Sequence, residues 1–167
     1  SLFEEAVTAA NKAVFEESAS HVEYEGMGTT VVACTLEENT LYIANIGDSR
    51  LYLMRDGIEQ ITDDHSLVEE MVKQGNITES EARIHPQKNI ITRALGINEE
   101  VQADFFEIDV EQGDVIMLCS DGLSNMIEDE DMEYIVKNSD TLQTAAESLV
   151  ARANENGGND NITVVLA

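Results

Sequence analysis

The feature that most constrains this chain is an uncharged apolar run, Val115–Cys119, which ends abruptly at Ser120, Asp121 and Gly122. A short apolar run of this kind is typical of a β-strand that is buried on both faces. Asp121 therefore stands where a rigid strand leaves the core, a position that suits a metal ligand because a strand end holds its residue firmly. The same Asp-Gly pair also suits a simple turn. The run by itself leaves both interpretations open.

The composition predicts a single acidic globular domain over residues 1–167, with 43% hydrophobic residues to build its core. The formal net charge of -25 argues against nucleic acid and against an anionic membrane as partners. No run is long enough to span a membrane, and the first residues are too polar for a signal peptide. Cys34 and Cys119 lie in apolar runs and are expected to be reduced thiols. We therefore expect a cytoplasmic protein.

The hydrophobic periodicity predicts short strands interspersed with helices. An amphipathic helix is expected over Leu2–Ser18, with no visible cap before it. A meander of short antiparallel strands should follow, and Asp56-Gly57 is its strongest hairpin signal. Strands are predicted at 29–36, 41–46, 50–55, 58–61, 101–110, 115–119 and 162–167, and further helices at 67–73, 78–83, 128–137 and 142–154.

The region at about 66–95 is helical and polar, which predicts an excursion from the sheet that acts as a flap. Ser66 and Thr78 are the expected N-caps of its two helices. The region carries nearly half of the nine basic residues of the chain. These either hold an anionic ligand or are solvated side chains; they are Lys73, Arg83, Lys88 and Arg93.

Two aspartates occupy related positions, since Asp121 closes a buried strand and Asp160 opens the final one. If those strands are antiparallel neighbours, both carboxylates lie at the same edge of the sheet. Close carboxylates repel each other unless a cation lies between them, and an all-oxygen ligand set suits Mg²⁺ or Mn²⁺. Asp63 and Asp64 add carboxylates directly after another strand. The pattern favours metal-assisted hydrolysis of a phosphate ester, although acidic turns are common in a chain with 34 acidic residues.

Five motifs then occur in a fixed order along the whole chain. Together they resemble the bacterial branch of the metal-dependent protein phosphatases, the type 2C or PPM family. Each motif alone is modest, whereas five in sequence with consistent spacing are specific. The motifs are Gly28–Thr30, Ala44–Arg50, Asp63–Ser66, Ser120–Leu123 and Gly158–Thr163.

The resemblance implies an α+β fold, a β-sandwich of two antiparallel sheets flanked by helices, with a Mn²⁺ or Mg²⁺ cluster at one end. It also implies hydrolysis of phosphoserine and phosphothreonine in proteins by a metal-bridging hydroxide. By position, Asp121 and Asp160 resemble ligands of the core metal pair, and Asp64 resembles a ligand that joins Asp121 on a third metal. No residue of this chain is assigned as catalytic. The implied partners are phosphorylated proteins, the substrates of a serine/threonine kinase.

The family's N-terminal Asp-Gly-x-Gly-Gly segment and its phosphate-binding arginine have no counterpart in these residues. We therefore expect that N-terminal strands of the sandwich are missing and that these 167 residues alone are inactive or nearly so. Open sheet edges would favour a non-native dimer. Two alternatives remain: a non-catalytic module of the same fold that binds phosphoproteins or a partner chain, and a plain acidic cation-binding domain.

Other residues of these motifs are expected to be structural. Asp48 should bond to backbone amides that follow it, and Arg50 should pair with a neighbour. His65 either orients Asp64 or is a solvated turn residue. The cysteines have no histidine or basic residue beside them, which argues against a cysteine-type phosphatase.

Overall fold

The computed structural model describes residues 1–167, with two antiparallel sheets and helices in an α+β arrangement. The predicted α+β class is confirmed. The strands are β1 (Val31–Glu37), β2 (Thr40–Ile46), β3 (Arg50–Met54), β4 (Ile58–Gln60), β5 (Asp104–Asp109), β6 (Val115–Cys119) and β7 (Val164–Leu166). The helices are α1 (Leu2–Ser20), α2 (Leu67–Lys73), α3 (Glu79–Ile84), α4 (Asp121–Ser124), α5 (Asp129–Lys137) and α6 (Leu142–Glu155). None of these helices combines the length and apolar character needed to cross a bilayer.

The chain divides into two compact units, each built on one sheet. The first unit comprises Ser1–Asp48 and Asp64–Ile108, and the second comprises Ser49–Asp63 and Asp109–Ala167. The first unit holds the sheet with strand order β1-β2-β5, and the second holds β4-β3-β6-β7. The prediction of one domain over 1–167 stays a prediction.

In the first unit, α1 packs on the three-stranded sheet through Phe3 and Val7, which join a core that includes Ile46 and Leu95. The helix begins in a capping box, in which the Ser1 side chain accepts the backbone N–H of Glu4. The expectation of an uncapped start is therefore wrong. A cap of this kind stabilises a helix by about 1 kcal/mol because it satisfies an N–H that has no partner inside the helix.

In the second unit, β6 lies between β3 and β7, and α5 and α6 cover the sheet. Ile116 and Met117 point to opposite faces of the sheet, since they are consecutive in a strand, and both are buried. The prediction of a strand buried on both faces is confirmed. Its apolar residues pack with Leu149 of α6 and with Met132 of α5.

The predicted single meander is wrong, because the hairpins β1–β2 and β3–β4 belong to different sheets. The chain leaves β2 at Gly47, where φ is +107°. A Cβ at this position would stand 2.5 Å from the Cγ2 atom of Thr30. Glycine is needed there for two reasons. Any other residue would be strained at this positive φ, and its Cβ would clash with Thr30.

The two caps predicted for the 66–95 region are confirmed. The Ser66 side chain accepts the N–H of Glu69 at 3.2 Å, and Thr78 forms a capping box with Glu81. The region is also tied to its unit by the isolated bridges Ser66–Ile91 and Thr29–Leu95. These contacts place α2 and α3 in the first unit.

Candidate functional site

Asp121 follows β6 directly and is the first residue of the one-turn helix α4. Asp121 itself is half-buried, whereas Gly122, Leu123 and Ser124 are buried behind it. The sequence predicted a turn or a ligand at this point and missed the helical turn. That turn forms because Leu123 is buried in the core of the second unit, which draws the chain back over the sheet.

Asp160 lies in the loop between α6 and β7 and is exposed. One carboxylate oxygen of Asp160, Oδ1, accepts the backbone N–H of Asn161 at 2.7 Å. β6 and β7 are antiparallel neighbours, with Cys119 opposite Val164. The condition for a shared edge is therefore met, and Asp121 and Asp160 lie beyond the same end of that strand pair.

The two segments touch at Gly122. A Cβ built on Gly122 would lie 2.0 Å from the carbonyl oxygen of Asn161 and 3.5 Å from the carbonyl carbon of Asp160. The peptide that follows Asp160 is thus in contact with the residue that follows Asp121. Only glycine permits this approach, because any side chain would displace the peptide.

Ser120 bonds to the same loop through its side chain and its backbone. Its hydroxyl donates to the carbonyl oxygen of Asn161 at 3.2 Å and accepts the N–H of Thr163 at 3.0 Å. Its own N–H donates to the carbonyl oxygen of Thr163 at 3.1 Å. No sequence signal indicated this role of Ser120, since a serine before Asp-Gly does not reveal a contact 41 residues away.

The donor chemistry of this end of the sheet fits part of a divalent-ion site. Carboxylate oxygens are the ligands that Mg²⁺ and Mn²⁺ prefer, and Mg²⁺ is often held by one or two carboxylates with water completing its shell. Nowhere in the chain do three His, Cys, Asp or Glu side chains come together around a point where they could hold one metal ion. The third predicted ligand, Asp64, is half-buried in the first unit, between β4 and α2. The assignment of Asp64, Asp121 and Asp160 as metal ligands stays a prediction.

His65 is buried and bonded on both ring nitrogens, so the solvated-turn alternative is wrong, whereas its orienting of Asp64 stays a prediction. Its Nδ1 accepts the N–H of Gly47 at 3.0 Å, which leaves the proton on Nε2 to be donated to Oδ2 of Asp104 at 2.8 Å. Arg93 donates to Oδ1 of the same carboxylate at 2.9 Å. No local pattern indicated this contact, because Asp104 lies within the alternating strand predicted over 101–110.

The partners of Asp104 determine its charge state. Burial acts to raise the pKa of this carboxyl, but the hydrogen bonds from His65 and Arg93 outweigh burial and lower the pKa. Asp104 is therefore held as a carboxylate. The His65–Asp104–Arg93 cluster secures the segment after Asp64, which is also held by the His65 N–H on the Gly47 carbonyl at 2.9 Å.

The basic residues of the 66–95 region are engaged within the chain to a large extent. Lys73 lies 3.9 Å from a carboxylate oxygen of Glu69, and Arg93 is paired with Asp104. Arg93 also lines a cavity of about 440 Å³ beside Ile97. Because its guanidinium is committed to Asp104, the structure favours intrachain pairing at these two positions over an anionic ligand.

Arg50 pairs with a neighbour, as expected for a structural residue. Its Nη1 donates to the hydroxyl of Tyr52 at 2.8 Å, and that hydroxyl donates to Oδ1 of Asp129 at 3.2 Å. Tyr52 is fully buried, and burial raises the pKa of its hydroxyl well above the ordinary value, so the group stays protonated. The chain of bonds joins β3 to the first residue of α5.

Comparison with known proteins gives consistent matches over nearly all of the chain. The family model described as "Protein phosphatase 2C" matches residues 1–166. The "Serine/threonine phosphatase stp" of Listeria monocytogenes is 44% identical over 157 residues, which are 93% of this chain and 62% of that protein. The chain thus spans about three fifths of the length of this curated relative.

Solved structures share the fold. The crystal structure of the serine/threonine phosphatase Stp1 from Staphylococcus aureus superposes with a TM-score of 0.96 at 36% identity, over 99% of this chain and 66% of that one. The catalytic domain of the serine/threonine protein phosphatase PstP, solved in complex with two manganese ions, superposes with a TM-score of 0.89 at 37% identity. That match covers 98% of this chain and 68% of the PstP chain.

Proposed function

The chain belongs to the protein phosphatase 2C family, and we propose that the protein hydrolyses phosphoserine and phosphothreonine in other proteins with the help of divalent metal ions. The observation that carries this proposal is the meeting of two carboxylate-bearing segments at one end of the second sheet. Gly122, between them, has no room for a side chain. The similarity to phosphatases over most of the chain supports the same reaction class.

Asp121 and Asp160 are the proposed metal-holding residues of the second unit. Divalent ions held there would act as Lewis acids toward the phosphoryl group and would activate water for the attack on phosphorus. The residues of the chain itself contribute position and charge: the two carboxylates offset the charge of the ions, and the Gly122–Asn161 contact limits their separation. Asp64 is a proposed ligand of a further ion, on the resemblance of its motif.

The proposed metal is Mn²⁺ or Mg²⁺. Both ions prefer oxygen ligands, and both accept a shell completed by water. The PstP neighbour was solved with two manganese ions, which supports Mn²⁺. The proposed substrates are cytoplasmic proteins phosphorylated by a serine/threonine kinase, and the charge of -25 argues against nucleic acid and anionic membranes as partners.

The test is hydrolysis of a phosphothreonine peptide by the complete gene product, with Mn²⁺, with Mg²⁺ and after removal of metal with EDTA. We expect turnover that requires metal. Asp121→Asn and Asp160→Asn should each weaken Mn²⁺ binding by at least about tenfold, since even the outer partners of metal ligands contribute that much. Metal-independent turnover would contradict the proposal. An inactive gene product that still binds the phosphopeptide would support the non-catalytic alternative instead.

The 167 residues on their own are proposed to have little or no activity. Because no three candidate ligands come together in this chain, it should hold a divalent ion only weakly. Hydrolysis of p-nitrophenyl phosphate with Mn²⁺ by the isolated chain measures this directly. Turnover comparable to that of the complete gene product would disprove it, and size-exclusion chromatography of the same sample would show whether the proposed non-native dimer forms.

A further inference from the structure

The loop that carries Asp160 is held at two separated points. At its start, the Asn156 side chain donates to the carbonyl oxygen of Met126 at 2.8 Å, and the N–H of Gly158 donates to Ala153 at 3.0 Å. At its end, the Ser120 side chain reaches across from the neighbouring strand and bonds to the backbone at Asn161 and Thr163. Between these points residues 159–161 are exposed.

The hydroxyl of Ser120 has a geometry suited to fixing that end. The hydroxyl donates to the carbonyl oxygen of Asn161 and accepts the N–H of Thr163, so both its donor and its acceptor functions are used. Ser120 also immediately precedes Asp121. A single side chain therefore connects the backbone next to one carboxylate with the peptide next to the other.

The contact at Gly122 sets a lower limit on the separation of the two segments, because the Asn161 carbonyl already lies against the glycine. Contact alone sets no upper limit, since van der Waals attraction between a few atoms is weak. The Ser120 N–H already holds Thr163, and the two bonds of the Ser120 hydroxyl extend that limit to the peptide at Asn161. Together, glycine and serine confine the Asp160 segment to one distance from Asp121.

We propose that Ser120 is a positioning residue that holds the Asp160 loop at the distance from Asp121 that divalent-metal binding requires. The inference deepens the proposed function and rests on it for the identity of the ion. Ser120 has no role as a ligand in this proposal, and it acts only through the backbone at Asn161 and Thr163. Partners of this kind around metal ligands contribute about 10- to 100-fold to metal affinity.

The experiment titrates MnCl₂ alone into the metal-free complete gene product by calorimetry. The variants are Ser120→Ala, which removes both bonds, and Ser120→Thr, which keeps the hydroxyl. Ser139→Ala is the matched control, because the Ser139 hydroxyl also donates to a backbone carbonyl in the second unit, that of Ile135 at 2.7 Å within α5. Thermal midpoints of the metal-free proteins are measured in parallel, and titrations are made at temperatures where every variant is folded.

We expect Ser120→Ala to weaken Mn²⁺ binding by about 10- to 100-fold, with Ser120→Thr and Ser139→Ala close to the wild type. The thermal midpoints of Ser120→Ala and Ser139→Ala should fall by similar amounts, since each loses hydrogen bonds of one hydroxyl. Wild-type affinity in Ser120→Ala would overturn the proposal, as would an equal loss in Ser139→Ala. If the gene product has no phosphatase activity but Ser120→Ala still weakens Mn²⁺ binding, the proposed function fails and the positioning role stands.

Discussion

Asp104 in the first unit and Asp160 in the second both lie at the start of a strand or just before one, yet their partners differ. Asp104 accepts hydrogen bonds from His65 and Arg93 and is one third exposed. Asp160 accepts a backbone N–H from its neighbour, is exposed and has no ion pair. A carboxylate paired with side-chain donors of its own chain stabilises the fold, whereas an exposed one bonded only to a neighbouring backbone N–H remains available to a ligand.

The surroundings of the two carboxylates differ in the same way. The His65–Asp104–Arg93 cluster is built from side chains, and the chain would lose stability if one member were removed. The Asp160 segment is positioned by backbone contacts at Gly122 and by the hydroxyl of Ser120. We therefore expect substitutions in the His65–Asp104–Arg93 cluster to change stability without changing metal binding. Substitutions at Gly122, Ser120 and Asp160 should weaken metal binding, and they should also lower stability where a packing contact or hydrogen bond is lost.

Among these substitutions, Gly122→Ala is expected to lower the free energy of unfolding most. The added Cβ would stand 2.0 Å from the Asn161 carbonyl, so the loop must move, at a cost of about 3 kcal/mol in the free energy of unfolding. Chemical denaturation measures the loss, and Mn²⁺ calorimetry should show weaker binding. Gly57→Ala is the control, because a Cβ at Gly57 meets nothing within 4 Å. Equal stability of the two variants would show that the contact at Gly122 is not rigid.

A smaller loss in the free energy of unfolding is expected from Asp104→Asn. The asparagine side chain has only one oxygen acceptor, so it can accept from His65 or from Arg93 but not from both. The other donor loses its partner, which should lower the free energy of unfolding by about 1–2 kcal/mol. The urea midpoint measures the change. Mn²⁺ affinity should stay at the wild-type value, and a loss of affinity without a loss of stability would show that Asp104 acts on the metal site and not on the fold.

The difference in unfolding free energy between the wild type and Asp104→Asn should also depend on pH. The folded-state pKa of Asp104 is lowered, so its stabilisation is present above the unfolded pKa and is lost as pH falls through the folded one. The difference in unfolding free energy should thus be largest near neutral pH and shrink in acid. A difference that grows on acidification would mean that the carboxylate is not held in its charged form.

The smallest change in stability is expected from Asp160→Asn, within about 0.5 kcal/mol, since the residue is exposed and carries no ion pair. The amide oxygen can still accept the N–H of Asn161. Mn²⁺ affinity, in contrast, should fall. A variant that loses stability but binds Mn²⁺ like the wild type would show that Asp160 stabilises the fold and is not a metal ligand.

Local patterns predicted most of the elements correctly. The boundaries of α2 and β6 match the expected 67–73 and 115–119, and the caps at Ser66 and Thr78 form as predicted. These signals depend on residues a few positions apart, such as the four-residue capping box. From the sequence, the β6–β7 pairing was a condition and not a prediction: Asp121 after one apolar strand and Asp160 before another would share an edge only if the strands paired, which they do.

Most of the helices and strands, though not α4, and the candidate carboxylates at 121 and 160 can thus be read from local sequence. The tertiary structure decided which strands share a sheet, that His65 binds Asp104 across 39 residues, and that Ser120 reaches Asn161 across 41. Periodicity reports only which face of an element is apolar. Contacts between distant residues depend on how whole elements pack, and a one-letter pattern carries no information on that geometry until the chain is folded.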